Sequence, residues 1–186
     1  MRAIKLLDIG SFFAIFFVVL SNIVGFSASA EDGKEYLIKA AFIVNFTKFI
    51  DWPDDKAIAK QQKIDVCVLG ENPLINLSQV FKQASSAKLA VSLVKENNLS
   101  NIVSHCHVVF IGASEEYKYK DVLDVLKNKP ILTVGDSADF TERGGMMGLP
   151  MDNNKVKLVV NKKAIETAGM YVDSQLLEIA SKVIDN

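Results

Sequence analysis

The chain has 186 residues, a length that suggests one domain or at most two small ones. Lysine and arginine number 21 and aspartate and glutamate 22, so the formal charge is −1 and the sequence lacks the cationic excess of a nucleic-acid-binding protein. Apolar residues make up 49% and charged residues 23%, the proportions of a globular rather than a disordered protein. We therefore expect a folded protein with no nucleic-acid partner.

Residues 1–30 have the pattern of a secretory signal peptide. Basic residues near the N-terminus precede an uncharged run, Ile9–Phe26, and Ala28-Ser29-Ala30 supplies the small residues of a cleavage site. A retained membrane anchor is the alternative, because the uncharged run is just long enough to span a bilayer. We expect cleavage and export, which leave residues 31–186 as the mature domain.

The mature chain opens with a helical pattern and continues with alternating strands and helices. Residues 34–52 form an apolar helix that ends before Pro53, because the residue before proline is pushed out of helical geometry. Four short strands and three helical segments then alternate, which predicts a mainly parallel sheet with helices on both faces. The predicted strands are 64–69, 89–94, 108–111 and 130–134, and the predicted helices are 72–84 capped by Asn72, 98–103, and 114–127 capped by Ser114.

The pattern changes towards the C-terminus. Asp152-Asn153-Asn154 lies between two apolar segments and predicts a tight β-hairpin. Asn161 is placed to cap a helix that Gly169 closes, and Ser174–Ile184 predicts a final helix. The fold class expected from the whole sequence is α/β, a single layered domain with a mainly parallel central sheet and a C-terminal hairpin.

The two cysteines, Cys67 and Cys106, form an even pair in a chain predicted to be exported. Cys67 lies in one predicted strand and Cys106 just before another, so a disulfide is possible if these strands are neighbours. Two buried free thiols are the alternative. The chain contains no Cys-x-x-Cys motif, which argues against a thioredoxin-type enzyme.

Three kinds of chemical site are disfavoured by the sequence. His105 and His107 flank Cys106, but a catalytic zinc needs a further ligand and the chain has no third histidine. Gly70 ends a strand without the glycine pattern of a nucleotide-binding loop. The sequence also lacks the Gly-x-Ser-x-Gly motif that carries the nucleophilic serine of many hydrolases. We predict no metal, no cofactor and no enzymatic activity.

The segment from Phe140 to Met147 is the strongest candidate for a contact surface. Arg143 is the only arginine after residue 30, and a guanidinium presents a rigid donor fork suited to a carboxylate or an aromatic face. Two glycines follow it, and they permit close backbone approach or a positive φ. Neighbouring methionines supply adaptable apolar surface. An ordinary turn that leads into a core strand is the alternative.

Five blocks of sequence, in this order, resemble the YfiR-like family of periplasmic proteins over nearly the whole mature chain. They are the helix from Glu35 to Phe42 with Asn45-Phe46, Lys48-Phe49 and Trp52-Pro53; Cys67-Val68-Leu69-Gly70; Val109-Phe110-Ile111-Gly112; Ile131-Leu132-Thr133-Val134-Gly135-Asp136; and Phe140 with Glu142-Arg143-Gly144-Gly145-Met146.

The resemblance implies an α/β sandwich that works in the periplasm, often as a homodimer. It implies a protein that restrains the periplasmic sensor part of a membrane-bound diguanylate cyclase and so limits cyclic di-GMP and biofilm formation. An OmpA-like outer-membrane lipoprotein would in turn sequester the repressor. The positions of Cys67 and Cys106 match a redox-sensitive pair of the family. Some relatives have a second cysteine pair around the Arg-Gly-Gly segment, where this chain has residues such as Thr141 and Gly148 and no cysteine.

Our leading hypothesis is therefore a periplasmic, non-enzymatic regulator that binds one state of a sensor domain and shifts its population. The residues predicted to form the contact surface or a pocket are Phe140, Glu142, Arg143 and Met147. A small-molecule binding module that uses the same glycine-rich segment is the main alternative. A thiol-redox sensor that switches through Cys67 and Cys106 is the third.

Overall fold

A computed structural model of the chain describes residues 28–53, 63–85 and 90–185. The sheet belongs to the compact unit Glu35–Asn186, and of the other unit, Met1–Lys34, only the helical residues from Ala28 are described. The predicted signal peptide of residues 1–30 thus lies almost wholly outside the described residues. Within the three ranges, no helix is both long enough and apolar enough to cross a bilayer.

The described ranges contain helices and strands in alternation. The helices are α1 (Ala28–Phe49), α2 (Ser78–Ala84), α3 (Leu99–His105), α4 (Tyr119–Leu126), α5 (Lys162–Thr167) and α6 (Ser174–Glu178), with 3₁₀-helices at Pro73–Leu77 and Ala113–Lys118. The strands are β1 (Ile50–Asp51), β2 (Lys63–Leu69), β3 (Ala90–Lys95), β4 (Val108–Ile111), β5 (Leu132–Gly135), β6 (Met147–Gly148), β7 (Met151–Asp152), β8 (Lys155–Val156), β9 (Val159–Asn161), β10 (Tyr171–Val172) and β11 (Lys182–Ile184).

The central sheet has seven strands in the order β11-β9-β6-β5-β4-β2-β3. Every neighbouring pair is parallel except β6 and β9. Val108 of β4 lies opposite Val66 of β2 on one side and Leu132 of β5 on the other. The predicted α/β class with a mainly parallel central sheet is confirmed.

Alternate residues of the central strands supply two separate cores, because side chains along a strand point to opposite faces. Val66 and Val68 pack on one face with α1 and α2, whereas Cys67 and Leu69 pack on the other with α3 and α4. Strands buried on both faces explain the nearly continuous apolar runs in the sequence.

Two predicted helices end earlier than the sequence indicated. The first gives way at Ile50 and Asp51 to strand β1, which pairs antiparallel with β10. The last was predicted to run over Ser174–Ile184, which is wrong: α6 is short, and β11 follows it and pairs parallel with β9. Ser181 turns the chain into the sheet, since its amide and its hydroxyl both donate to the carbonyl of Leu158.

The predicted caps and turns have mixed outcomes. The side chains of Asn72 and Asn161 do cap the helical segments that follow them. Ser114 does not cap a helix, because its hydroxyl donates instead to the carbonyl of Glu71. The predicted hairpin is formed by β7 and β8, and Asn153 and Asn154 both take positive φ at its turn, as a type I′ turn requires.

Candidate functional site

The loop that follows β5 is built around the ring of Phe140. This side chain is fully buried, and it meets the ring of Tyr119 edge-on with centroids 5.0 Å apart. A Cβ atom on Gly135 would lie 2.4 Å from the Phe140 ring, and one on Gly145 would lie 2.2 Å from it. The ring is therefore held between two backbone segments that only glycine lets approach so closely.

Hydrogen bonds of the backbone close the same loop into a compact turn. The amide of Arg143 donates to the carbonyl of Asp139, and the amide of Gly145 donates to the carbonyl of Phe140, both at 3.0 Å. Gly144 has a φ of +100°, a conformation that favours glycine. The turn fixes the direction in which the Arg143 side chain leaves the backbone.

Arg143 crosses from this loop to the 3₁₀-helix that follows β4. Its Nη1 lies 3.2 Å from the carboxylate of Glu116 and 3.6 Å from that of Asp139. Its Nη2 donates to the main-chain carbonyl of Glu116 at 3.0 Å, and its guanidinium carbon lies 4.9 Å from the ring centroid of Tyr119. The prediction that this arginine meets a carboxylate or an aromatic face is confirmed, since it meets both.

The other residues predicted for a contact surface separate into exposed and buried ones. Glu142 is exposed and accepts a hydrogen bond from Lys182 at 2.9 Å, which ties the loop to β11. Phe140 and Met147 are both 0% exposed, because they fill the two cores beside β5. The proposed contact surface is corrected accordingly: a partner can reach Glu142 and Arg143, but Phe140 and Met147 support the loop from beneath.

The local sequence pattern does not identify Glu116 and Tyr119 as partners of Arg143. The ends of neighbouring parallel strands meet at one edge of a sheet, so the residues that follow β4 and β5 are brought together. The adjacency of these two strands was the signal that could have found the pair.

Burial raises the pKa of the Tyr119 hydroxyl to about 12, and that hydroxyl donates weakly to the carbonyls of Ile111 and Gly112.

Cys67 and Cys106 are joined by the predicted disulfide, with Cα atoms 5.9 Å apart. The bridge lies in the core between the sheet and α3 and closes a separation of 39 residues. Its neighbour His107 is buried, and Nδ1 of that ring accepts a hydrogen bond from the amide of Asp65. In the described ranges, no group of three or more potential metal ligands comes together.

A second polar cluster lies where α1 packs near the end of β5. Lys39 is 1% exposed and pairs with the carboxylates of Glu35 and Asp136. The hydroxyl of Tyr36 donates to Asp136 at 2.9 Å and accepts from the side-chain Nδ2 of Asn72. Burial, reinforced by the charge of Asp136, raises the pKa of Tyr36 well above its ordinary value. This network joins α1 to the sheet.

A cleft of about 280 Å³ opens beside Arg143, between α4 and α5. Leu126 and Met146 are among the apolar residues that line it, Lys127 and Lys163 bring positive charge to it, and Asp124 brings negative charge. Arg143 and Gly144 form part of its wall. The glycine-rich loop therefore faces both the Glu116 side and a cleft of small-molecule size.

Two solved structures are similar to the chain at low sequence identity. A conserved domain protein from Vibrio cholerae O1 biovar eltor is 14% identical, with a TM-score of 0.47 over 71% of this chain and 60% of that one. The ABC domain from Streptococcus pneumoniae, solved in complex with L-Trp, is 16% identical, with a TM-score of 0.48 over 66% of this chain and 55% of that one. The chain thus spans little more than half the length of either structure.

A family model also matches most of the described domain. The model of the YfiR/HmsC-like family matches residues 36–181. That range begins in α1 and ends just before β11, so it includes the disulfide, Lys39 with its partner Asp136, and the whole loop that carries Arg143. On this match, the chain belongs to the YfiR/HmsC-like family.

Proposed function

We propose that this protein is a periplasmic regulator that acts by binding the periplasmic sensor part of a membrane-bound diguanylate cyclase. Membership of the YfiR/HmsC-like family over residues 36–181 is the observation that carries the proposal. Binding would favour the restrained state of the sensor and shift its population by differential affinity. The expected result in the cell is a low level of cyclic di-GMP and reduced biofilm formation.

The packing at the carboxyl ends of the central strands supports a function at the protein surface rather than in a crevice of the sheet. In open α/β sheets, ligands bind beyond the carboxyl ends of the strands, at the point where successive connections run in opposite directions. Here that point lies between β2 and β4. The side chain of Asn72 packs against Gly112 and that of Glu115 packs against Gly70, so close that a Cβ atom on either glycine would come within 2.7 Å of the side chain. The protein thus fills this region with its own side chains.

The proposal includes two further partners that the family resemblance implies. We expect a homodimer in solution and capture of the protein by an OmpA-like outer-membrane lipoprotein. Light scattering on a sizing column gives the mass of the free protein, and crosslinking in intact periplasm identifies the lipoprotein. A monomeric mass at all concentrations would contradict the first expectation.

The direct test uses purified mature protein and the periplasmic domain of each membrane-bound diguanylate cyclase of the same organism. Calorimetric titration should find saturable binding to at least one domain. Deletion of the gene for this protein should raise cellular cyclic di-GMP, and removal of that cyclase as well should abolish the rise. Absence of binding to every domain, with unchanged cyclic di-GMP in the deletion strain, would overturn the proposal.

A small-molecule binding module is a second candidate, which the cleft between α4 and α5 favours. Its volume of about 280 Å³ is just below the usual range for ligand sites, and apolar residues line it beside charged ones. Native mass spectrometry of protein purified gently from the periplasm separates the candidates. A retained small molecule that is lost on mutation of Lys163, without any sensor binding, would favour this second function.

A further inference from the structure

Tyr117 is the most exposed large apolar side chain in the described residues, with 74% of its surface accessible. It lies in the 3₁₀-helix Ala113–Lys118, between Glu116 and Lys118. Tyrosine is enriched at the energetic centre of protein interfaces, because its ring supplies a large contact area with only two side-chain torsions to order. A single exposed apolar residue is ordinary, so the surroundings of Tyr117 must decide whether it matters.

Both sequence neighbours of Tyr117 are held in place. Glu116 accepts hydrogen bonds from Arg143 through its carboxylate and its main-chain carbonyl. Lys118 donates to Glu115 at 2.8 Å, and its Nζ lies 4.9 Å from the centroid of the Tyr117 ring. The segment that presents the ring is thus ordered before any partner arrives, which lowers the entropic cost of binding.

The start of the same 3₁₀-helix is anchored to the neighbouring strand end. The hydroxyl of Ser114 donates to the carbonyl of Glu71 at 3.1 Å. The Glu115 side chain packs directly on Gly70, where a Cβ atom would come within 2.5 Å of it. These contacts hold the 3₁₀-helix near the end of β2, while Arg143 holds it to the loop after β5.

The charges around Tyr117 indicate the chemistry of its partner. The ammonium of Lys118, which lies nearest the ring, is paired with Glu115. The carboxylates of Glu116 and Asp139 share the single cation of Arg143. Both carboxylates are about half exposed, and among the described residues they have one cation between them, so this surface carries one excess negative charge. A partner that places a lysine or arginine there would gain electrostatic complementarity, which acts mainly on the rate of association.

We propose that Tyr117 is the principal contact residue of this protein, and that it fits an apolar recess beside a lysine or arginine on the partner protein. Arg143 is then a positioning residue that holds the Tyr117 segment and makes no essential contact of its own. The inference rests on the proposed function, because it places this recess on the periplasmic sensor domain of the cyclase.

The test compares variants in titrations against the sensor domain that binds the wild type. Tyr117→Ala should weaken binding at least tenfold with an unchanged melting temperature, whereas Tyr117→Phe should retain most of the affinity. Tyr171→Ala is the matched control, because Tyr171 is also a strongly exposed tyrosine, at 66%, but lies on β10. That control should bind within twofold of the wild type.

A double-mutant comparison tests the role of Arg143. If Arg143 only positions Tyr117, Arg143→Ala should weaken binding in the wild type but have little further effect in Tyr117→Ala. Additive losses would show that Arg143 touches the partner independently and would overturn its assignment as a positioning residue. If Tyr117→Ala binds within twofold of the wild type, the assignment of Tyr117 as the principal contact residue is overturned, but the proposed function is not. If the wild type binds no sensor domain, the proposed function is overturned and this inference with it.

Discussion

Arg143 and Glu116 are joined by two hydrogen bonds across 27 positions of sequence, one to the carboxylate and one to the main-chain carbonyl. A main-chain acceptor cannot swing away as a side chain can, so the second bond fixes the path of the backbone after β4. The two residues follow neighbouring parallel strands. Their contact therefore links two strand-end loops that lie beyond the ladder of hydrogen bonds between β4 and β5.

We predict that Arg143→Ala lowers the free energy of unfolding by about 1–2 kcal/mol, from the lost hydrogen bonds, partly exposed ion pairs and cation–π contact. A change of this size lowers the melting temperature by about 3–6 °C. Arg143→Lys should recover only part of it, because lysine lacks the planar fork. Lys120→Ala, which removes an exposed helix pair with Asp124, is the control and should cost less than about 0.5 kcal/mol. Equal melting temperatures for Arg143→Ala and the wild type would contradict the structural role.

Gly145→Ala should be among the most destabilising small substitutions in the chain. The new Cβ atom would lie 2.2 Å from the Phe140 ring, so the ring or the turn must move, at a cost of about 2–4 kcal/mol. Gly33→Ala adds the same methyl group in α1 where nothing lies within 4 Å, and it should leave stability unchanged or slightly raised. Urea unfolding of both variants checks the pair. Similar free energies of unfolding for the two would contradict the packing of Phe140.

Most of the central sheet could be predicted from sequence, because strands buried on both faces leave apolar runs such as 64–69 and 108–111. The turn at Asn153 and Asn154 was also visible, since the hairpin connection needs residues that tolerate positive φ. The strand β11 could not be predicted from the sequence, because its apolar residues suit a helix as well as a strand. Only its distant pairing with β9 decides the outcome.

The candidate site was predicted in part. The type of contact made by Arg143 followed from the chemistry of its side chain. The burial of Phe140 and Met147 could not be predicted, because an apolar residue beside glycines can be exposed in a surface loop or packed in the core beneath such a loop. The exposure of Tyr117 depends on how the segment after β4 turns, which no local pattern in the sequence specifies.

Removal of the disulfide should destabilise the protein without changing its fold. Loop closure over 39 residues is worth about 4 kcal/mol in the chain-entropy estimate, so Cys67→Ala with Cys106→Ala should lose up to that amount. Non-reducing peptide mapping of protein isolated from the periplasm should recover the joined peptides. Two free thiols in that preparation would contradict the bridge.

The same pair of substitutions separates a structural bridge from a redox switch. Reductant should lower the stability of the wild type and leave the double variant unaffected, which controls for other effects of the reagent. If the bridge is only structural, reduced and oxidised protein should bind the sensor domain with equal affinity at a temperature where both are folded. An affinity that changes on reduction would favour the thiol-redox sensor.

Loss of Lys39 should be costly, because its side chain and that of Asp136 are only 2% and 4% exposed. Lys39→Ala leaves Asp136 and Glu35 without their cation, and removal of one member of a buried ion pair typically costs about 3–5 kcal/mol. Lys39→Met combined with Asp136→Asn removes the two most buried charges and leaves only the more exposed Glu35 ionised, so it should lose much less than the sum of Lys39→Met and Asp136→Asn measured singly. A double-mutant cycle in urea measures this coupling. Strict additivity would contradict a shared buried network.

Alkaline pH should destabilise the protein through Tyr36 and Tyr119. Burial raises the pKa of both hydroxyls, in Tyr119 to about 12, whereas an unfolded tyrosine ionises near pH 10. The stabilisation from the raised pKa values is therefore complete below about pH 10 and is lost as pH rises through the range between the unfolded and folded values. In that range each group lowers the free energy of unfolding by up to about 1.4 kcal/mol per pH unit.

Urea titrations between pH 8 and pH 12 test this dependence. At each pH, the free energy of unfolding of Tyr119→Phe is subtracted from that of the wild type. This difference gives the contribution of the Tyr119 hydroxyl, because the lysines that titrate in the same range are common to both proteins. The same subtraction with Tyr36→Phe gives the contribution of the Tyr36 hydroxyl. Each variant should have a shallower loss of stability above about pH 10 than the wild type, with parallel curves below it. Because Tyr36 also donates to Asp136, Tyr36→Phe should be less stable at pH 8, whereas the weaker hydrogen bonds of Tyr119 predict a smaller loss there. Identical slopes for all three proteins above pH 10 would show that neither hydroxyl remains protonated through burial.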